Sequence, residues 1–81
     1  MMELNRRFFS RILKDEPARI LCNYRSVVGC VIRDISAGGA CLELDPAAPV
    51  PEQFDLIPTG NDPRSCRVVW RYSDRLGVAF N

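Results

Sequence analysis

Two short motifs carry most of the chemistry of this 81-residue chain. The first is an arginine cluster, Arg6, Arg7 and Arg11, which reads RxxxR with an additional arginine in front. The second is the DxSxxG run from Asp34 to Gly39. Guanidinium groups bind phosphate bidentately and also recognise the O6 and N7 acceptors of guanine. Because a carboxylate can accept hydrogen bonds from guanine N1–H and N2–H, the two motifs together predict a site for an anionic guanine nucleotide.

Each motif also has a purely structural interpretation. The arginines would otherwise form a solvated basic arm that improves solubility, although the RxxxR spacing places Arg7 and Arg11 on one side of a helix or loose turn. The second motif would otherwise be a hairpin in which Asp34 forms an Asx-turn and Gly38-Gly39 permits positive φ and close backbone approach. Ser36 can cap such a turn and also donate to a ligand oxygen, so both roles are compatible.

Composition restricts the possible classes of function. The length allows one small domain, and a formal net charge of +1 does not suggest a general polyanion binder. The chain has no histidine and no C-x-x-C pair, which argues against a structural zinc site and against a catalytic triad. We therefore expect a binding domain that is not an enzyme and that holds no metal and no cofactor apart from its ligand.

The four cysteines predict the cellular compartment. Cys22, Cys30, Cys41 and Cys66 all lie in apolar runs, where buried free thiols in a reducing environment are the simplest interpretation. No apolar stretch has the length of a signal peptide or a membrane span. We therefore expect a soluble cytoplasmic protein that does not insert into membranes.

The chain divides into a charged arm, residues 1–16, and a strand-rich remainder, residues 17–81. Phe8 and Phe9 in the arm could lie on one turn of amphipathic helix or anchor an extended segment, and Pro17 interrupts any helix. Short β-branched runs separated by turn residues follow, which is typical of an all-β domain. The predicted strands are Arg19–Tyr24, Val27–Asp34, Ala40–Asp45, Phe54–Ile57, Cys66–Tyr72 and Leu76–Phe80. Six short strands in this length predict a small closed or nearly closed barrel.

Strand alternation predicts which side chains face the core. Ala40, Leu42 and Leu44 share one face of their run. Trp70 has the phase of Cys66 and Val68, which predicts a core position, although a tryptophan near a barrel mouth could instead stack on guanine. The simplest interpretation of Arg33, Arg67 and Arg71 is that they are outward strand positions, although they could add positive potential around such a site.

The motifs, in this order and at this separation, resemble the PilZ family of bacterial receptor domains for cyclic di-GMP. The resemblance continues in Val68-Val69-Trp70-Arg71 and in the run from Arg75 to Phe80, so it spans roughly residues 6 to 80. The resemblance implies a six-stranded Greek-key barrel that binds cyclic di-GMP. It implies that Arg7 and Arg11 bind the ligand together with four residues of the second motif, Asp34, Ser36, Gly38 and Gly39. It also implies that Arg6 accompanies two intercalated nucleotides per chain.

The expected function is therefore that of a cyclic di-GMP receptor whose N-terminal arm and surface change on binding and which then docks on a downstream protein. One alternative is a PilZ-like adaptor that has lost the nucleotide, against which the intact motifs argue. Another is a small barrel that binds single-stranded nucleic acid through arginines and aromatic residues. The near-zero net charge and the absence of an aromatic-rich strand face argue against that second alternative.

Overall fold

The computed structural model describes residues 12–22 and 26–81, with the backbone alone at 12–14. These residues form a closed antiparallel barrel whose strands neighbour one another in the order β1-β2-β3-β6-β5-β4. Because β4 lies beside β1, the first four strands have the Greek-key order. The strands are β1 (Ile12–Leu21), β2 (Val27–Ile35), β3 (Gly39–Glu43), β4 (Gln53–Pro58), β5 (Arg64–Tyr72) and β6 (Arg75–Phe80). The predicted six-stranded barrel is confirmed, while residues 1–11 of the predicted arm lie outside the described residues.

The first strand begins earlier than the sequence predicts. It starts at Ile12 and runs through Pro17, so residues of the 12–16 segment, which charge and the lack of a sustained period assign to the arm, pair with β2. The carbonyl of Pro17 accepts a hydrogen bond from the Thr59 hydroxyl at 2.8 Å, on the side facing β4. The proline nitrogen points to that same side, and the β4 ladder begins only at Ala18. Proline is tolerated there because no ladder hydrogen bond needs its missing N–H.

The core consists of inward-facing residues that alternate along the strands. Ile20, Leu42 and Leu56 have no measurable exposure, and no polar or charged residue is buried among the described ones. The phase predicted for Ala40 and Leu42 is confirmed, since both are buried. The buried cluster comprises Ala18, Ile20, Cys30, Ile32, Ala40, Leu42, Val50, Phe54, Leu56, Cys66, Leu76 and Val78.

The ladders contain three register shifts, one of them in the β1–β2 ladder between Leu13 and Glu16, and the other two change the direction of side chains on the outer surface. In the β2–β3 ladder Ile32 pairs with Leu42 and Asp34 with Cys41, so Arg33 is an extra residue. In the β5–β6 ladder Val68 pairs with Val78 and Trp70 with Gly77. The second bulge reverses the alternation after Val68. The core position predicted for Trp70 is therefore wrong: its side chain lies on the outer surface with 46% exposure.

The four cysteines are free thiols in the structure. Cys30 and Cys66 lie inside the barrel, whereas Cys41 is buried although it lies on the outward phase of β3, and Cys22 is half-buried. Burial, together with the smaller effect of the neighbouring Cys66 thiol, raises the pKa of Cys30 from 9.0 to about 11. Burial likewise raises the pKa of Cys66 to about 11. The folded barrel therefore keeps both thiols protonated at pH values where the unfolded chain releases these protons.

We predict that the free energy of unfolding falls as the pH rises from about 9 to about 11. A raised thiol pKa means that the folded state binds more protons than the unfolded state in this window. The thiols therefore contribute fully to the free energy of unfolding below about pH 9, and this contribution is lost as the pH rises to about 11. Urea unfolding from pH 8 to pH 11 measures the effect. The double variant Cys30→Ala/Cys66→Ala should be less stable overall but lose less stability across the window. Equal losses in both proteins would contradict the assignment.

Candidate functional site

The turn between β2 and β3 is closed by hydrogen bonds within the DxSxxG motif and to β6. The Ser36 N–H donates to the Gly39 carbonyl at 2.8 Å, and the Ser36 hydroxyl donates to the same oxygen at 3.4 Å. The Phe80 N–H donates to the Gly38 carbonyl at 2.9 Å, which fastens the turn to the last strand. The hydroxyl contact is long for a hydrogen bond, so Ser36 keeps the capacity to bond a ligand oxygen as well.

The two glycines of the motif have different structural roles. A Cβ at Gly39 would overlap the carbonyl oxygen of Val78, so only glycine allows β3 to approach β6 this closely. A Cβ at Gly38 would meet no atom within 4 Å. Neither residue uses the positive φ that glycine permits, because Gly60 is the one glycine with positive φ in the part of the chain that the structure describes. Close backbone approach is thus confirmed for Gly39, and Gly38 leaves open space above the turn.

Strand register aligns the second motif with Trp70 on the outside of the barrel. Asp34 pairs with Cys41, Cys41 with Gly77, and Gly77 with Trp70, which gives one continuous row across β2, β3, β6 and β5. Paired residues of an antiparallel sheet point to the same face. A neighbouring row contains Gly39, Ala79 and Arg67. We call this surface the motif face; its residues are Asp34, Ser36, Gly39, Cys41, Gly77, Ala79, Arg67 and Trp70.

The centre of the motif face is a floor of small residues. Cys41, Gly77 and Ala79 carry at most a short side chain, and Trp70 lies over Gly77, where a Cβ would overlap its indole ring. An aromatic ring over a strand glycine covers backbone that would otherwise be exposed. Gly77 is buried under the indole of Trp70, and Cys41 is buried beside the guanidinium of Arg75, so a ligand on this face would lie above the floor, between the Asp34 carboxylate and the exposed part of the indole.

Ion pairs neutralise most of the arginines around this face. Arg33 contacts Asp15 at 3.1 Å and Glu43 at 3.4 Å, which ties β1 and β3 across the bulge that precedes Asp34. Glu43 also contacts Arg75 at 3.8 Å. Exposed pairs of this kind each contribute about 0–1 kcal/mol. Their larger effect is to cancel charge locally.

Arg75 stands next to the floor and is held there by its neighbours. The Cys41 thiol beside its guanidinium is the main cause that raises the pKa of Arg75, although burial lowers it and Glu43 raises it again. Its Nε lies 3.8 Å from Asp74, which is too long for a hydrogen bond. Arg75 therefore stays charged but is already surrounded by carboxylates.

A cavity of about 390 Å³ at one barrel mouth is a competing location for a ligand. Its walls include Ile32 and Leu56, and its polar rim includes Glu16, Asp62 and Arg64. The Arg64 guanidinium lies 4.0 Å from the ring centroid of Phe80. Two carboxylates on the rim, one exposed and one half-buried, repel an anionic ligand. The motif face is the better candidate for a phosphate-bearing molecule.

The structure brings together the described part of the predicted site. Asp34, Ser36 and Gly39 lie on the motif face, with Gly38 at its edge and Trp70 across the floor from Asp34. The predicted arginines, Arg6, Arg7 and Arg11, lie outside the described residues.

Sequence reasoning did not assign a role to the floor or to the ion pairs. The signal that could have identified the floor is the outward phase of Gly77 and Ala79 in β6, where exposed strand positions normally carry larger polar residues. The ion pairs of Arg33 and Arg75 depend on cross-strand neighbours and have no local sequence signal. Among the residues described, no group of three or more His, Cys, Asp or Glu side chains is arranged to hold a metal ion. No helix in the described ranges has the length and apolar character that a membrane crossing requires.

Comparison with known proteins supplies the family. The family model described as PilZ domain matches residues 5–81, which is nearly the whole chain. The chain therefore belongs to the PilZ domain family, whose members are binding and adaptor domains. No curated protein and no solved structure gave a match.

We predict that Gly39→Ala destabilises the barrel and that Gly38→Ala, its matched control one residue away, does not. Forcing a methyl group against the Val78 carbonyl must push β3 away from β6, and overpacking of this kind costs about 1–3 kcal/mol. A methyl group at Gly38 enters open space, so its effect should stay within about 0.5 kcal/mol. Urea unfolding of both variants measures the difference. Equal stability of the two variants would contradict this account of the turn.

Proposed function

We propose that this PilZ domain is a receptor that binds cyclic di-GMP on the motif face. The observation that carries the proposal is the row in which Asp34 and Trp70 lie on the same outer surface with only Cys41 and Gly77 between them. At about 4.8 Å per strand the row is roughly 14 Å wide. That width suits a flat ligand with bases on both sides of a phosphate-bearing ring better than it suits a mononucleotide.

The proposed contacts follow from the chemistry of each side chain. Asp34 accepts from guanine N1–H and N2–H, a donor pair that adenine does not present, and so selects guanine. Ser36 donates to a ligand oxygen, and the open space above Gly38 admits the ligand close to the backbone. Trp70 offers an exposed aromatic face on which a guanine can stack, which is worth about 1–3 kcal/mol per base.

The start of β1 supports a joint site for the two motifs. Ile12 pairs with Ile35, the residue directly before Ser36. Arg11 is the residue immediately before Ile12 in the sequence, so the arginine motif is joined to a strand that pairs beside the second motif. The proposal is that Arg7 and Arg11 bind the phosphates from this side, each by charge-assisted hydrogen bonds.

The proposed role is signalling rather than catalysis. The receptor would pass its signal to a downstream protein, in the cytoplasm, where thiols such as Cys30 and Cys66 stay reduced. A nucleotide-free adaptor is the second candidate, and the exposed Val69 and Tyr72 on β5 favour it as a surface for protein contact. Binding of single-stranded nucleic acid is the third candidate, and the carboxylates that surround Arg33 and Arg75 disfavour it.

We predict that Arg7→Ala and Arg11→Ala each weaken cyclic di-GMP binding about ten- to hundredfold. The loss of one charge-assisted contact costs about 1.5–3 kcal/mol, and each 1.4 kcal/mol is a factor of ten. Calorimetry measures the affinity, and the circular dichroism spectrum should not change. Arg19→Ala, an exposed position on β1 outside the motif face, is the matched control. Parent-like binding by both motif variants would show that the site assignment is wrong, and binding of GTP or an oligonucleotide in place of cyclic di-GMP would favour another function.

We predict that nucleotide binding orders the N-terminal arm. Fixing a residue costs about 1–2 kcal/mol of conformational entropy, which the phosphate contacts and the apolar contacts of Phe8 and Phe9 offset. Amide hydrogen exchange over residues 5–11 should therefore slow sharply when cyclic di-GMP is added, and much more than exchange in β3 or β6. Equal protection of these amides with and without ligand would mean that the site is preformed.

We predict a stoichiometry of two nucleotides per chain. Two stacked cyclic dinucleotides bring four phosphates together, and these phosphates repel one another. Arg6 adds a third guanidinium to those of Arg7 and Arg11 and so offsets the repulsion among the phosphates. Arg6→Leu should convert two-to-one binding into one-to-one binding with a weaker salt dependence, measured by calorimetry. A single-nucleotide endpoint for the parent protein would refute the stoichiometry and leave the site itself intact.

A further inference from the structure

We infer that Arg67 is a further phosphate-binding residue, which holds the ligand from the β5 side of the motif face. The inference rests on the proposed function and extends it to a residue outside both sequence motifs. The arginines of the outer surface that the structure describes divide into those that have acidic partners and those that do not.

The position of Arg67 directs it toward the ligand. Arg67 pairs with Ala79, which in turn pairs with Gly39, so the three residues form one row on the outer surface. Gly39 and Ala79 are too small to block a long side chain that extends across them. Arg67 is the outward residue of β5 that precedes Trp70, with the bulge between them. A ligand that stacks on Trp70 and reaches Ser36 therefore lies over the row formed by Arg67, Ala79 and Gly39.

The charge of Arg67 is uncompensated. Arg33 is bound by Asp15 and Glu43, Arg75 by Glu43 and Asp74, and Arg71 by Glu52 at 3.2 Å. Arg67 is exposed, and the structure shows no ion pair, hydrogen bond or aromatic contact for its side chain in the described part of the chain. Its register neighbours are Ala79 and Gln53, neither of which is acidic.

The location of the other cationic groups explains why phosphate is the expected partner. Ile12, which follows the RxxxR motif in the sequence, pairs with Ile35 of β2, so the motif is joined to the barrel on the β1 and β2 side. Arg33 and Arg75 lie closer to the floor but their charge is cancelled by Glu43. A ligand with two phosphates, or a pair of ligands with four, needs positive charge on the β5 side as well. Arg67 is the residue of β5 that faces the floor with its charge available.

The experiment compares Arg67→Gln, Arg67→Lys and the matched control Arg19→Gln by calorimetry with cyclic di-GMP at low and high salt. Arg19 is also an exposed arginine on a strand for which the described residues show no partner, but it lies on β1, opposite β6 in the ring of strands. Arg67→Gln should bind roughly tenfold more weakly and with a shallower salt dependence, because one charge-assisted contact is lost. Arg67→Lys should recover part of the affinity and the full salt dependence, and Arg19→Gln should bind like the parent.

Each other outcome overturns the inference in a distinct way. Parent-like binding by Arg67→Gln would remove Arg67 from the site. Equal weakening in Arg67→Gln and Arg19→Gln would mean that Arg67 acts only through the overall electrostatic potential of the protein and makes no direct contact with the ligand. A loss of affinity with unchanged salt dependence, together with improved binding of cyclic di-AMP, would assign Arg67 to a guanine edge instead of a phosphate. If the parent protein binds no cyclic di-GMP, the proposed function itself fails, and the inference fails with it.

Discussion

The structure depends on the close approach of β3 to β6 at Gly39. The carbonyl of Val78 occupies the space that any side chain at position 39 would need, so glycine is required for the two strands to pair at this point. That pairing joins the first three strands to the last two and thereby closes the barrel. On the outer surface the same two strands carry only small residues, Gly39, Cys41, Gly77 and Ala79. The same backbone contact thus supports both the core inside and the proposed ligand surface outside.

Two of the three register shifts set the direction of the side chains that the proposed site uses. The extra residue at Arg33 restores Asp34 to the outward direction beside Cys41, and Arg33 itself is held by acidic residues on both neighbouring strands. The extra residue before Trp70 turns the indole outward over Gly77. Without the second bulge, Trp70 would continue the inward phase of Val68 and the motif face would lose its aromatic side. Bulges next to binding sites commonly redirect side chains in this way.

The distribution of charge accounts for a nearly neutral protein that is proposed to bind an anion. Carboxylates pair with arginines that stabilise the strands, such as Arg33 and Arg71. The described residues show no acidic partner for Arg67. Net charge describes the sum of these groups and carries no information about their arrangement. Selective pairing, rather than an excess of basic residues, can therefore leave a local positive potential at one face.

The sequence predicted the barrel because strand alternation is a local property. The phases of Ala40 and Leu42 and the turn at Asp34 to Gly39 could be assigned from neighbouring residues alone. Trp70 could not, because its direction depends on a bulge in the pairing with β6, which no local pattern reveals. The start of β1 was missed because Pro17 normally interrupts structure, whereas here the unpaired side of the strand tolerates it. The placement of Arg67 beside the motif also required the register of three strands.

The most direct test of the account is a map of cyclic di-GMP contacts by backbone and indole NMR shifts during a titration. The largest changes should occur at the amides of Ser36 and Gly39 and at the indole N–H of Trp70. The amides of Arg19 and Ile57, which lie on the opposite side of the barrel, should stay unchanged. Changes centred on Asn61 and Asp62 at the barrel-mouth cavity, or no changes at all, would contradict the claim that the motif face is the binding site.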